Sequence, residues 1–141
     1  MSVKTSLILP SFKDGIFETS IKPETKLDLI SAFDQAKYAR DVFQTIEKYD
    51  KQGVELTSAK MTTKEMSEIL SKVLGKELKE VYSKPEKLEI KKRFFKSLVG
   101  NYVYYNYERY QFDLEKVKEK GFEMISFEEF CNMYKSRIEI L

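Results

Sequence analysis

Thr62-Thr63-Lys64-Glu65-Met66-Ser67-Glu68-Ile69-Leu70-Ser71-Lys72-Val73-Leu74-Gly75 is the stretch on which the fold is decided. Thr62 and Glu65 have the spacing of a capping box, in which each side chain satisfies a backbone N–H that the helix start would leave unpaired. Met66, Ile69, Leu70, Val73 and Leu74 recur at helical period and make one continuous apolar stripe. Gly75 follows, suited to the left-handed position that closes a helix. A start, a face and a stop agree on an amphipathic helix.

Working toward the N-terminus, Val54, Leu56 and the residues between them predict a strand of about five residues, an ordinary strand length. Gln52-Gly53 ends the unit before it. That unit reads as a second helix, with Asp34 as its capping carboxylate and Ala36, Ala39, Val42, Phe43 and Ile46 as its apolar face. Leu27, Leu29 and Ile30 predict a short buried strand. Pro23-Glu24-Thr25 and Asp14-Gly15 are turn signals, and Ile16 to Ile21 between them reads as extended. Residues 5–9 read as a further short strand.

Toward the C-terminus, Leu78 to Tyr82 predicts a strand. Pro85 suits the first turn of a helix with Leu88, Phe94, Phe95, Leu98 and Val99 on its bulky face. Tyr102, Tyr104, Tyr105, Tyr107 and Tyr110 then cluster. Asp113 starts a short helix that ends at Gly121. Ser126 and Glu129 form a second capping box, with Phe127, Phe130, Cys131 and Tyr134 on the inner side of the last helix. The order strand–helix–strand–helix–strand over residues 27–82 predicts a helix-rich α/β fold with one small partial sheet and flanking helices. So few strands leave edges that normally seek a partner.

The 141 residues fit one domain, and 42% hydrophobic with 34% charged residues fits a folded globular chain. A net charge of +2 gives no strong pull toward nucleic acid or an acidic membrane. There is no histidine and a single cysteine, Cys131, which argues against zinc and excludes a Ser-His-Asp triad and an internal disulfide. Leu7-Ile8-Leu9 is too short for a signal core or a membrane span. A cytoplasmic location is expected.

The five glycines, Gly15, Gly53, Gly75, Gly100 and Gly121, lie too far apart for a dinucleotide fingerprint or a P-loop, both of which need backbone to approach phosphate closely. No tyrosine has a lysine four residues later. Glu128 and Glu129 read as N-terminal helix charges, and Cys131 as a small buried hydrophobe. No catalytic, cofactor-binding or metal-ligating residue is therefore assigned. If a ligand pocket exists, Tyr102, Tyr105 and Tyr107 are its candidates.

Several ordered segments resemble the C-terminal half of NmrA-like proteins, members of the atypical short-chain dehydrogenase/reductase group. Pro23-Glu24-Thr25-Lys26-Leu27 followed by Ile30-Ser31-Ala32-Phe33-Asp34 is similar to that family's strand and helix entry, with Gln35 and Ala36 departing from its Ile-Gly. Glu47-Lys48-Tyr49 with Gly53, the run from Met61 through Lys76, and Ser126-Phe127-Glu128-Glu129-Phe130 are similar to later family segments. The resemblance covers Asp14 to about Leu141. It implies a fold like the C-terminal portion of an NAD(P)-binding Rossmann-type protein, with this chain beginning after the NAD(P)-binding half.

Two functions follow as expectations. One is a non-catalytic binding or regulatory module with no cofactor of its own. The other is the substrate-side half of an NAD(P)-dependent oxidoreductase, completed by another chain or by a preceding segment. Both imply a protein partner or self-association, and neither implies nucleic acid or membrane.

Overall fold

The computed structural model describes residues 14–83, 104, 106, 112–119 and 121–138. The strand expected at 5–9, the helix expected after Pro85, and Tyr102, Tyr105 and Tyr107 lie outside the described residues. In chain order the elements are β1 (Ile16–Thr19), β2 (Leu27–Leu29), α1 (Ala32–Gln44), α2 (Ile46–Tyr49), β3 (Ala59–Met61), α3 (Thr63–Leu74), β4 (Lys79–Tyr82), α4 (Leu114–Glu119), α5 (Phe127–Met133) and α6 (Lys135–Ile138). The architecture is mixed α/β, as expected.

Helix α3 has the expected termini. The Thr62 hydroxyl accepts from the Glu65 N–H, and the Glu65 carboxylate accepts from the Thr62 N–H at 2.7 Å. Gly75 closes the helix at φ +67°, a region that non-glycine residues enter with strain. The stripe buries Leu70 and Val73 against Phe17 of β1, Leu78 and Cys131 of α5, with Met66, Ile69, Phe127 and Phe130 packed around them. This is the core, and burial of each large side chain contributes about 1.5–3 kcal/mol. The buried Thr63 hydroxyl, at the first turn of α3, donates to the Glu80 carboxylate and ties the helix to β4.

The strand pairing departs from the single small sheet expected over residues 27–82. β1 pairs in parallel with β4, and β2 pairs antiparallel with β3, giving two separate two-stranded sheets. Parallel pairing needs a long crossover, and the chain between β1 and β4 supplies it, with α3 covering the Phe17 face. Gly15, at φ +75°, stands where an added Cβ would lie 3.1 Å from the Glu77 carbonyl oxygen. Its own carbonyl accepts from the Lys79 N–H at 2.8 Å, which sets the β1–β4 register.

Two further expectations are corrected. The strand expected from Val54 forms instead at Ala59–Met61, because β2 offers only a short partner, Leu27–Leu29. Pairing begins where the Ser58 N–H reaches the Leu29 carbonyl at 2.7 Å, and the buried Thr57 hydroxyl engages the same carbonyl. Helix α1 is capped by Ser31, not by Asp34. The Ser31 hydroxyl accepts from the Asp34 N–H at 2.9 Å and donates to the Asp34 carboxylate at 2.7 Å, which places Asp34 inside the first turn.

The C-terminal elements follow expectation. Asp113 caps α4 through its carboxylate, which accepts from the N–H groups of Glu115 and Lys116. Ser126 and Glu129 form the second capping box, at the start of α5. Between these helices, Phe122 to Ile125 runs along the inner side of α1. Phe122 meets Tyr38 edge-on at 4.7 Å, Lys37 Nζ donates to the Glu123 carbonyl at 3.2 Å, and the Ile125 N–H donates to the Asp34 carboxylate at 3.3 Å.

Candidate functional site

Asp34 organises one candidate region. Its carboxylate is buried and bridges the Ser31 hydroxyl and the Ile125 amide, so it fixes the start of α1 against the segment leading into α5. Beside it lies a pocket of about 100 Å³ whose walls include Leu29, Ile30, Ile125, Phe127 and Phe130. The hydroxyls of Ser31, Ser58 and Ser126 also line it, but each donates elsewhere: to Asp34, to the Leu29 carbonyl and to Glu129. What remains is a small, largely apolar recess, below the several hundred Å³ of an ordinary small-molecule site.

The expected tyrosine site is visible only in part. Tyr104 is 41% exposed. Asn106, which the sequence reading did not single out, accepts from the Lys22 N–H and donates to the Ser20 carbonyl, both at 2.8 Å. Its amide thus ties Asn106 to the chain just beyond β1. No spacing pattern announces such a residue, because its partners lie more than eighty positions away. Among the described residues, the Ser20 hydroxyl is buried here without a hydrogen-bond partner.

The remaining reactive groups have structural tasks. Glu129 completes a cap, and the donors of Ser126 hold its carboxyl below the usual range. Glu128 pairs with Lys72 of α3 at 2.6 Å. Cys131 is buried in the core, where burial and then the charge of Glu128 push its thiol up to about 11. A thiol in that state is a poor nucleophile at neutral pH. Among the described residues, no group of three His, Cys, Asp or Glu side chains is placed to hold a metal ion.

The second candidate region is the outward face of α1. Of its 13 residues only Asp34 is buried. The apolar face expected at Ala36, Ala39, Val42, Phe43 and Ile46 does not enter this chain's own core. Ala36 and Ala39 are exposed and Val42 is half-buried, while Phe43 and Ile46, just past the helix end, are 80% and 62% exposed. Phe33, overlooked in the sequence, joins them at 52%. The reason is geometric: Asp34, Tyr38 and Asp41 share the inner side, where Phe122 to Ile125 packs, and the alanine–phenylalanine side is turned away from it. Phe33, Ala36, Lys37 and Arg40 border a groove of about 410 Å³ on this face.

No family model matches the chain, and no curated protein matches it. Among the described residues, no helix is long and apolar enough to cross a membrane.

Proposed function

We propose that this chain is a non-catalytic docking module, related to the C-terminal, substrate-side half of NmrA-like proteins, that acts through the outward face of α1. The carrying observation is the exposure of Phe33 and Phe43 on a helix that buries only one residue of its own, with the exposed Ile46 just past its end. Contiguous exposed apolar side chains mark interaction surfaces. Motif placement adds support. The Leu27–Leu29 strand runs directly into a helix with Asp34 in its first turn, and the two later motif segments sit on capped helices that share the core. The glycine spacing supplies no phosphate cradle, so this reading gives the chain no dinucleotide of its own. The single, core-buried Cys131 suits a reducing compartment such as the cytosol.

The parallel β1–β4 pair favours a second reading, in which the chain is the substrate-side half of an NAD(P)-dependent oxidoreductase. Parallel sheets normally sit between covering layers, and among the described residues this sheet has only two strands. An NAD(P)-binding half would then cover α1.

Two measurements test the first reading. Calorimetric titration of the chain with NADP and NADPH is expected to show no binding; one-to-one binding by this chain alone overturns it. Phe43→Glu is expected to change unfolding free energy in dilute solution by less than about 0.5 kcal/mol, as at other exposed positions. A loss above about 1.5 kcal/mol, the range of core substitutions, makes α1 an internal packing face and removes the docking surface.

A further inference from the structure

The groove on α1 has the geometry of a socket. Its four bordering residues, Phe33, Ala36, Lys37 and Arg40, stand at positions i, i+3, i+4 and i+7 of one helix. Four residues so spaced form the hole that receives a side chain from a facing helix. The same helix carries a fitting knob: Phe43 lies one turn past Arg40 and is, among the described residues, the most exposed of the large apolar side chains, at 80%. Socket and knob lie on one face.

We propose that the outward face of α1 is the interface of a two-fold symmetric homodimer, in which Phe43 of each copy fills the Phe33–Ala36–Lys37–Arg40 socket of the other. The proposal rests on the docking reading above and names the occupant of that surface. Setting Phe43 of one copy over the centre of the other's socket requires antiparallel helices that cross at Ala39 and Arg40. Ala39 is exposed and small there, so the two backbones can approach closely. The charge at the crossing is already balanced, since Arg40 Nη2 contacts the Asp41 carboxylate at 3.0 Å within each copy. The stem of Arg40 is thus free to lie on apolar surface. A self-complementary patch is what a two-fold interface needs, because each residue must find its counterpart on an identical surface.

The area is sufficient for a weak dimer. An aromatic side chain can bury about 150–250 Å². The exposed parts of Phe33, Phe43 and Ile46, with the alanines between them, therefore offer roughly 500 Å² per copy. Two copies reach about 1,000 Å², the lower bound of a specific interface. Continuous exchange between monomer and dimer is the expected behaviour.

Sedimentation equilibrium of the full chain from low to high micromolar concentration tests this. The mass is expected to rise from 16.7 kDa toward twice that value and to level off. Phe43→Glu, which buries a charge in the socket, and Ala36→Leu, which fills it, should each weaken association about thirtyfold or more, the size of an interface hot spot. Met133→Glu, at an exposed site on α5, should leave association unchanged. Ala39→Cys should form a disulfide-linked pair on mild oxidation, with the buried Cys131 not competing. A mass that stays at 16.7 kDa, a mass that rises without levelling, or a dimer indifferent to Phe43→Glu overturns the proposal. A strict monomer in which Phe43→Glu leaves melting unchanged rejects the dimer yet keeps the docking reading. If Phe43→Glu unfolds the dilute chain, the docking reading falls as well.

Discussion

Helices α1 and α3 are close in length, 13 and 12 residues, and both carry apolar residues at helical spacing. Their surroundings differ. α3 buries Thr63, Ser67, Leu70 and Val73 and helps form the core with β1 and α5. α1 buries a carboxylate and turns its alanines and phenylalanines outward. The lesson is that a stripe identifies a face that gains from leaving water but does not say what will cover it. In α3 the cover is the rest of this chain. In α1 the inner side is taken by polar and aromatic contacts to Phe122–Ile125, and the stripe stays exposed among the described residues.

The largest expected effect tests the α3 side of that contrast. Leu70→Ala should destabilise the fold by about 2–5 kcal/mol, the cost of a core cavity, as measured by urea unfolding. A loss below 1 kcal/mol would mean that α3 is not the core helix. The Cys131 thiol offers an independent readout of the same core. With its pKa near 11 and the side chain buried, it should resist alkylation at pH 8 until the chain unfolds. Rapid labelling of the native chain would contradict the packing described for α5.

Asp34 comes next, as the residue that settles α1 on its polar side. Asp34→Ala leaves the Ser31 hydroxyl and the Ile125 amide without their shared acceptor. A loss of about 1–3 kcal/mol is expected, with faster hydrogen exchange at the Ile125 amide. An unchanged exchange rate there would show that the segment before α5 is held by its aromatic contact instead.

The caps give a smaller, pH-linked effect. Thr62→Ala should cost about 1 kcal/mol. Glu65 and Glu129 are held below the usual carboxylate range, chiefly by backbone donors of Thr62 and Ser126 and then by their hydroxyls. A lowered folded pKa means that their contribution is complete above the unfolded value, near 4.3. It is lost as the pH falls through the lower folded values. Acid melts of a Glu65→Gln, Glu129→Gln double variant should therefore be less pH-dependent below about pH 4 than those of the parent. Equal slopes would mean that the capping boxes do not persist in solution.

The smallest expected effect falls on the other side of the contrast. Phe43→Ser should shift stability in dilute solution by no more than about 0.5 kcal/mol while reducing self-association. Equal losses for Phe43→Ser and Leu70→Ala would erase the difference between the two helices.

Local features were legible wherever a few neighbouring residues decide them. Both Ser/Thr–Glu capping boxes, the Gly75 stop, the Lys22–Thr25 turn and the burial of Cys131 could be read from spacing alone. Misreadings arose where a nearby alternative competed. Asp34 is a good cap by type, but Ser31 stands three residues earlier and takes that place, using Asp34 as its partner. Val54 to Leu56 has strand character, yet the ladder forms where Leu29 has a carbonyl to offer Ser58. Asn106 and Phe33 were missed for different reasons. Asn106 acts through distant main chain, and Phe33 stands beside Asp34 in the helix entry, where its residue type alone does not say which side of α1 it will face.

What the sequence determined by itself is therefore the set of pieces. Capping chemistry and the 3.6-residue period act within one or two turns, so they specify helices before anything else has folded. Which strands pair, which side of α1 faces inward and which stripe stays exposed were decided only by the tertiary structure. Those outcomes depend on residues far apart in the chain meeting in space: Gly15 with Lys79, Asp34 with Ile125, and Ser20 with Asn106. The apolar stripe of α1 was plain in the sequence; that it is left uncovered by the described chain follows from the side on which Phe122 to Ile125 packs.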